Sequence, residues 1–311
     1  MLRLLVLIAA AGLGWTAPAD AREGRQIAIT FDDAPTADGP VFSGEERTRE
    51  LLRALAAAEV EGAMFFVTTQ NIGKAENGTE RLAAYVAAGH VLANHSHSHP
   101  WLWKTGPEAY VADVERAASI LTQHGGAAPY FRFPFLDEGR TRDARDAVRG
   151  WLSSNGLRNG YVTIDNYDWY MNALFAEVSN KGGLVDREAL REAYVDILLK
   201  GVEFYDDLSL EALGRSPAHV LLLHENDLAA MFVDDLVRAL RERGWEIIPA
   251  EEAYRDPIAE ILPETLFNGQ GRVAAIAHAN GLRPARDMVS PFESEEWLRE
   301  EFTRRGLLPV D

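Results

Sequence analysis

The sequence predicts an α/β barrel of seven strand–helix units, related to the TIM type, with a C-terminal extension. Two observations carry this. Short β-rich apolar runs alternate with longer helical patterns over most of the chain, as in a parallel sheet with helices outside. No glycine-rich phosphate loop follows the first strand, which disfavours a dinucleotide-binding sheet. Such a barrel places its active site at the C-terminal strand ends.

The elements follow in order. Residues 27–31 form an apolar run with a β-branched start, the first strand. Residues 43–60 read as a helix, with leucines at 51, 52 and 55. Residues 63–68 are the second strand. A helix at 80–88 stops at Gly89, and 90–93 is the third strand. A helix at 107–124 has a proline at its start and Gly125-Gly126 at its end. The fourth and fifth strands, 130–133 and 161–164, flank a helix at 143–155. A long helix at 185–205 lies in an insertion at 170–217. Strand six at 220–223, a helix at 228–243 stopped by Gly244, and strand seven at 245–248 complete the barrel. Residues 256–311 carry Pro257, Pro263, Pro284, Pro291 and Pro309 and read as an appended arm. Its two short helices fall near 273–279 and 293–305.

Composition narrows the function. The chain has 311 residues, 47% hydrophobic and 25% charged, which excludes disordered and fibrous classes. Acidic residues outnumber basic ones, 48 to 31, for a net charge of -17, so nucleic acid is not an expected partner. The chain has no cysteine, which excludes disulfides and thiolate zinc sites. Any metal must be held by His, Asp or Glu.

The first residues read as an export signal. Arg3 precedes an apolar run at 4–13, about half the length a membrane-spanning helix needs. Ala19-Asp20-Ala21 offers a cleavage site. The expected division is a leader at 1–21, a catalytic domain at 22–255 and the extension at 256–311, with the product periplasmic or secreted. An uncleaved membrane anchor is the alternative.

Polar residues stand out at the strand ends. Strand one ends in Thr30-Phe31-Asp32-Asp33-Ala34-Pro35. Two adjacent carboxylates there can divide the work, one binding a metal and the other acting as a base. Strand three runs into Asn94-His95-Ser96-His97-Ser98-His99-Pro100. Imidazole is a preferred zinc ligand. A helical turn would put His95 and His99 on one face; an extended segment would align all three histidines. Strand four ends in Arg132-Phe133-Pro134-Phe135, strand five in Asp165-Asn166-Tyr167-Asp168-Trp169, and strand six in Leu222-Leu223-His224-Glu225. Trp101, Trp103, Tyr167 and Tyr170 could stack on sugar rings or serve the core.

These five segments, in this order, resemble the polysaccharide deacetylases of carbohydrate esterase family 4, the NodB-homology family. The first is similar to the family's Thr-Phe-Asp-Asp-Gly-Pro, with Ala34 in the glycine place. The second resembles His-Ser/Thr-x-x-His, the third Arg-x-Pro-Tyr/Phe, the fourth an Asp-Trp pair and the fifth Leu-x-His. The likeness spans about 27–250. It implies a distorted (β/α)7 barrel and a hydrolase that removes acetyl groups from N-acetylated glycans. It implies Asp33, His95 and His99 as ligands of a divalent metal, zinc first and cobalt or another ion next. It implies Asp32 as base, His224 as acid, Arg132 bracing Asp32 and Asp168 tuning His224. Leu222 would line the acetyl pocket, Trp169 would pack beside His224, and a backbone N–H near Phe135 would hold the oxyanion. His97 would point away. If the family's glycine needs a positive φ, Ala34 strains that turn. The alternatives are the same scaffold cleaving another amide or an O-acetyl ester, or a non-catalytic glycan- or metal-binding relative. Mass spectrometry of protein recovered from cells should show a chain beginning at Arg22; an intact N-terminus in the membrane fraction would establish the anchor instead.

Overall fold

The structure is a computed structural model that describes residues 24–309. Its strands are β1 (Gln26–Ala34), β2 (Met64–Val67), β3 (Val91–Asn94), β4 (Tyr130–Phe131), β5 (Arg158–Asn159), β6 (His219–His224) and β7 (Glu246–Ile247). The helices are α1 (Gly44–Ala57), α2 (Gly78–Ala87), α3 (Leu102–Thr105), α4 (Pro107–Gln123), α5 (Arg142–Ser154), α6 (Asp168–Ser179), α7 (Arg187–Leu213), α8 (Asp227–Glu242), α9 (Ala250–Ala253), α10 (Gly271–Ala279) and α11 (Glu295–Arg304). All named strand pairs are parallel, in the order β5-β4-β3-β2-β1-β6, with β7 joining the base of β1. The expected barrel is borne out. β1 lies at its centre, apolar and buried at Ile27, Ala28, Ile29 and Phe31 as a parallel strand covered on both faces must be.

The fifth strand differs from expectation. The hydrogen-bonded strand is 158–159, and residues 161–164 touch the sheet through a single bridge, Ile164 to Leu221. Gly160 marks the departure: a Cβ there would lie 2.5 Å from the Phe66 ring, so only glycine lets the strand pass. The Ile164 bridge closes the ring onto β6, with Thr163 N–H donating to Val220 O at 3.1 Å and Leu222 N–H to Ile164 O at 3.1 Å.

The segment from 256 onward is part of this body rather than an appended arm. It seals the seam that 161–164 leaves. Arg272 N–H donates to Val162 O at 2.7 Å, and the Tyr254 hydroxyl donates to Tyr161 O at 3.1 Å. Gly271 adopts φ 79 beneath this contact, where a Cβ would meet Val162 O at 2.8 Å. Val273, Ile276, Met288, Leu298 and Phe302 are buried in the same core as β1 and β6. α7 runs to residue 213, past the expected end at 205, and stops at Gly214 in the left-handed conformation. The α6 helix was not expected. No described helix is long and apolar enough to cross a membrane; the leader-like segment lies outside the described residues.

Phe302, 1% exposed, tests this docking. Phe302→Ala should cost about 3–5 kcal/mol in urea unfolding, the scale of a core cavity. A loosely appended arm would lose no more than a surface change does, about 0.5 kcal/mol.

Candidate active site

The site is built on a break in the β1–β2 register. The pairing runs Phe31 with Phe65 and resumes at Ala34 with Val67, an irregularity between the two strands. Asp33 sits in it at φ 67. Two neighbouring carboxylates thereby reach different partners. The left-handed conformation falls on Asp33 and not on Ala34, so alanine in the glycine place strains nothing.

Asp32 meets Arg132, whose Nη1 donates to its Oδ1 at 2.5 Å. The guanidinium is fully buried. Its other donors reach Gly160 O at 2.7 Å, Thr30 Oγ1 at 3.0 Å and the Tyr254 hydroxyl at 3.0 Å, and it lies 3.8 Å over the Phe66 ring. The Arg132 carbonyl accepts from His95 Nδ1–H at 2.9 Å. That bond fixes the tautomer and leaves His95 Nε2 with its lone pair.

The histidine segment is neither the helical turn nor the extended strand left open by its sequence. Ser96 and His99 take left-handed conformations, φ 70 and 56. Ser96 N–H donates to Asn94 Oδ1 at 2.7 Å, and His99 N–H to Ser96 Oγ at 3.0 Å. The Asp113 carboxylate on α4 accepts from the backbone of His97 at 2.7 Å and of Ser98 at 2.9 Å. The result brings His95 and His99 together and turns His97 aside, where its Nδ1 lies 2.9 Å from Thr69 Oγ1.

Asp33 Oδ1 is 3.4 Å from His99 Nε2 and 3.9 Å from His95 Nε2. One ligand atom from each of Asp33, His95 and His99 falls within 4.8 Å of the others. Thr68 Oγ1 donates to Asp33 Oδ1 at 3.0 Å and Asn71 Nδ2 to Asp33 O at 2.9 Å, so the carboxylate is held from behind. Burial disfavours the Asp33 charge, but the imidazoles of His99, His95 and His224 outweigh it and hold the carboxyl below its usual range. Burial, with His99 adding to it, pushes His95 down to about 3. Two neutral imidazole nitrogens and one carboxylate oxygen form a donor set suited to zinc or a similar ion.

His224, at the end of β6, is the Cα partner of Asp32. Its Nδ1–H donates to Asp168 Oδ1 at 2.7 Å, and its backbone N–H to Asp168 Oδ2 at 2.9 Å. Asn226 Nδ2 also donates to Oδ2, at 2.9 Å. Burial opposes the imidazolium, yet the charge of the fully buried Asp168 and its hydrogen bond prevail, with Asp33 and Asp32 adding to them. The His224 pKa is raised to about 9. Leu222 is buried two residues upstream. Trp169, 40% exposed, and His224 line one cleft together with Asp33, which continues between residues 36–40 and α6 past Asn172. Phe135 stands opposite in a left-handed turn, stacked on Trp101 at 3.8 Å and edge-on to His99 at 4.4 Å.

All the candidate residues therefore converge on one end of the barrel. The motifs did not point to Asp113, Thr68 and Asn71, which position Asp33 and the histidine segment. They also missed Glu225, buried beneath the cleft and bound by Arg81 Nη2 at 2.5 Å and the Tyr85 hydroxyl at 2.8 Å. Asp113 and Arg81 lie inside ordinary helical runs, where nothing local marks them.

Residues 19–151 match the model of the polysaccharide deacetylase family. A peptidoglycan-N-acetylglucosamine deacetylase of Bacillus cereus is 29% identical over 144 residues, 46% of this chain and 46% of that protein. The chain thus aligns with about half the length of that relative. The solved structure of a T48 deacetylase with substrate has a TM-score of 0.50 and 18% identity, covering 76% of this chain and 94% of that one, which supports the shared fold. A family 4 carbohydrate esterase of Streptomyces lividans in complex with acetate has a TM-score of 0.47 and 21% identity, covering 71% and 90%. The family match ends before Asp168 and His224, and the fold alone brings those two to the site.

The Asp168–His224 pair sets a pH dependence. The folded pKa of about 9 lies above the ordinary 6.5, so the pair stabilises fully below pH 6.5 and loses its contribution as pH rises through 9. NMR titration of His224 should show that midpoint, and Asp168→Asn should lower it. An unchanged midpoint in the variant would remove Asp168 as the cause.

Proposed function

We propose that the chain is a divalent-metal-dependent hydrolase that removes acetyl groups from an N-acetylated glycan, acting outside the cytoplasm as the leader-like segment predicts. One observation carries the reading. Asp32, paired with a buried arginine, and His224, held protonated by Asp168, are register partners on adjacent strands beside the Asp33-His95-His99 set. That places a carboxylate suited to act as base and an imidazolium suited to act as acid side by side at the strand ends.

Asp33, His95 and His99 would hold the ion, zinc or cobalt by their donor chemistry, and it would polarise the acetyl carbonyl and acidify water. Asp32 takes the proton from the attacking water as its oxygen bonds the carbonyl carbon. Arg132 fixes the carboxylate in the orientation that receives it. The imidazolium of His224 gives its proton to the glycan nitrogen as the C–N bond breaks, releasing acetate and a free amine. Asp168 orients the ring and supports its charge. The turn at Phe135 supplies a backbone N–H for the oxyanion, and Leu222 and Trp169 border the acetyl group.

The Bacillus cereus relative supports a glycan substrate of the peptidoglycan kind, and the exposed Trp169 in the cleft offers a face for a sugar ring. The test is metal content per chain beside kcat on amide and activated-ester substrates. Asp33→Ala should lose most metal and all turnover. Asp32→Asn should keep the metal and lose ~10²–10⁴ in rate. His224→Ala should keep the metal and lose more rate on the amide than on the ester, whose leaving group needs no proton. Full amide turnover in metal-free protein, or in His224→Ala, would overturn the proposal.

A further inference from the structure

A cavity separate from the cleft lies between the barrel and the extension, bordered by the ends of β4 and β5 on one side and residues 263–275 on the other. Four arginines line it: Arg132, Arg145, Arg149 and Arg272. Three are neutralised. Arg132 pairs with Asp32 at 2.5 Å, Arg145 with Asp146 at 2.7 Å and Glu264 at 3.0 Å, and Arg149 with Glu138 at 2.7 Å. Arg272 forms no salt bridge with any described residue, although it is only 3% exposed.

The Arg272 guanidinium is half-satisfied. Its Nη1 donates to the carbonyls of Ile258 at 3.3 Å, Ala259 at 3.4 Å and Ile261 at 2.8 Å. The guanidinium lies 4.4 Å over the Tyr161 ring. Nε and Nη2 have no hydrogen bond among the described residues. A guanidinium keeps its proton even when buried, and the carboxylate that favours the Arg272 charge, Glu138 in the cavity wall, is already paired with Arg149. The Nε–Nη2 edge presents two parallel N–H groups, the geometry that a carboxylate accepts in bidentate fashion. Tyr161, Val162 and Ala275 supply apolar wall beside it.

We infer that this cavity is a binding site for a small monocarboxylate of acetate size, which pairs with Arg272 and fastens the extension to the barrel seam. The site does not depend on the deacetylase reading. Its ligand bonds the residue after Gly271, where the chain already contacts Val162. A carboxylate there satisfies the open edge.

Thermal unfolding of the full chain tests this, with sodium acetate titrated at constant ionic strength against a bulky sulfonate. The measurement is made in the Asp33→Ala background as well as in the wild type, so that acetate bound at the candidate active site does not contribute. A saturable rise in Tm in both backgrounds is expected, since a ligand that binds only the folded chain stabilises it by mass action. Arg272→Gln should abolish the rise in the Asp33→Ala background, and Arg272→Lys, which lacks the fork, should reduce it. An equal rise in Arg272→Gln, or none in Asp33→Ala, would overturn the site. Should Arg272→Gln fail to fold, wild-type crystals grown in acetate decide: a planar carboxylate on Nε and Nη2 supports the inference, and water alone there overturns it.

Discussion

The buried guanidinium of Arg132 is the constraint on which the active end of the barrel depends. It ties β1 through Thr30 and Asp32, the bend at Gly160, and the segment after α9 through Tyr254. Its carbonyl meanwhile orients His95. One residue thus positions the proposed base with its side chain and a proposed metal ligand with its backbone. A buried charge is expensive alone, and breaking such a pair typically costs about 3–5 kcal/mol. Arg132 and Asp32 therefore enforce each other: the fold that buries the arginine requires the carboxylate, and the chemistry that needs the carboxylate requires the arginine.

Barrel closure and chemistry are linked a second time at the seam. The strand leaves the sheet at Gly160, and the resulting gap is filled by the Ile164 bridge and by Arg272 N–H on Val162 O. The same departure lets the chain turn from Ile164 through Asp165 into α6, which begins at Asp168. Asn166 supports that turn: its Nδ2 donates to Leu222 O at 2.5 Å and its Oδ1 accepts from Asp168 N–H at 2.9 Å. Had 161–164 continued as a regular strand, Asp168 would start farther from β6. The seam thus brings Asp168 within 2.7 Å of His224.

The strands that form apolar β-branched or aromatic runs were legible in the sequence to within a few residues, as were the helices with proline starts and glycine stops. What was not legible has identifiable causes. α6 has no side-chain N-cap, since Tyr167 occupies that position, so no start signal exists. α7 continues through Asp206 and Ser209, past the expected end at 205. In the fold Asp206 is buried against His219 at 3.3 Å, and Ser209 Oγ donates to Asp206 O at 2.7 Å. The prolines after 256 suggested an appended arm, and only tertiary packing reveals that the segment joins the core. At the site the residue identities were legible, but their conformations were not. Asp33, Ser96 and His99 all adopt positive φ without being glycine, and neighbouring hydrogen bonds hold them there.

The acidic groups at this end show how environment divides like side chains. Asp33 is held low by three imidazoles. Asp165, also at the seam, is pushed up to about 7 by burial, which outweighs the opposing hydrogen bond from Asn166 N–H and the charge of His224. Glu293 from the extension is raised well above the carboxylate range, first by burial and then by Asp165, although the Tyr205 hydroxyl donates to it at 2.7 Å. The cation that acts on both Asp33 and Asp165 is His224, which already has its own aspartate, Asp168. The extension therefore brings to the barrel an acid that favours its neutral form, which adds no further negative charge beside Asp165. In this way α11 and the segment before it can close the seam without weakening the contrast between a base held by arginine and an acid held by aspartate.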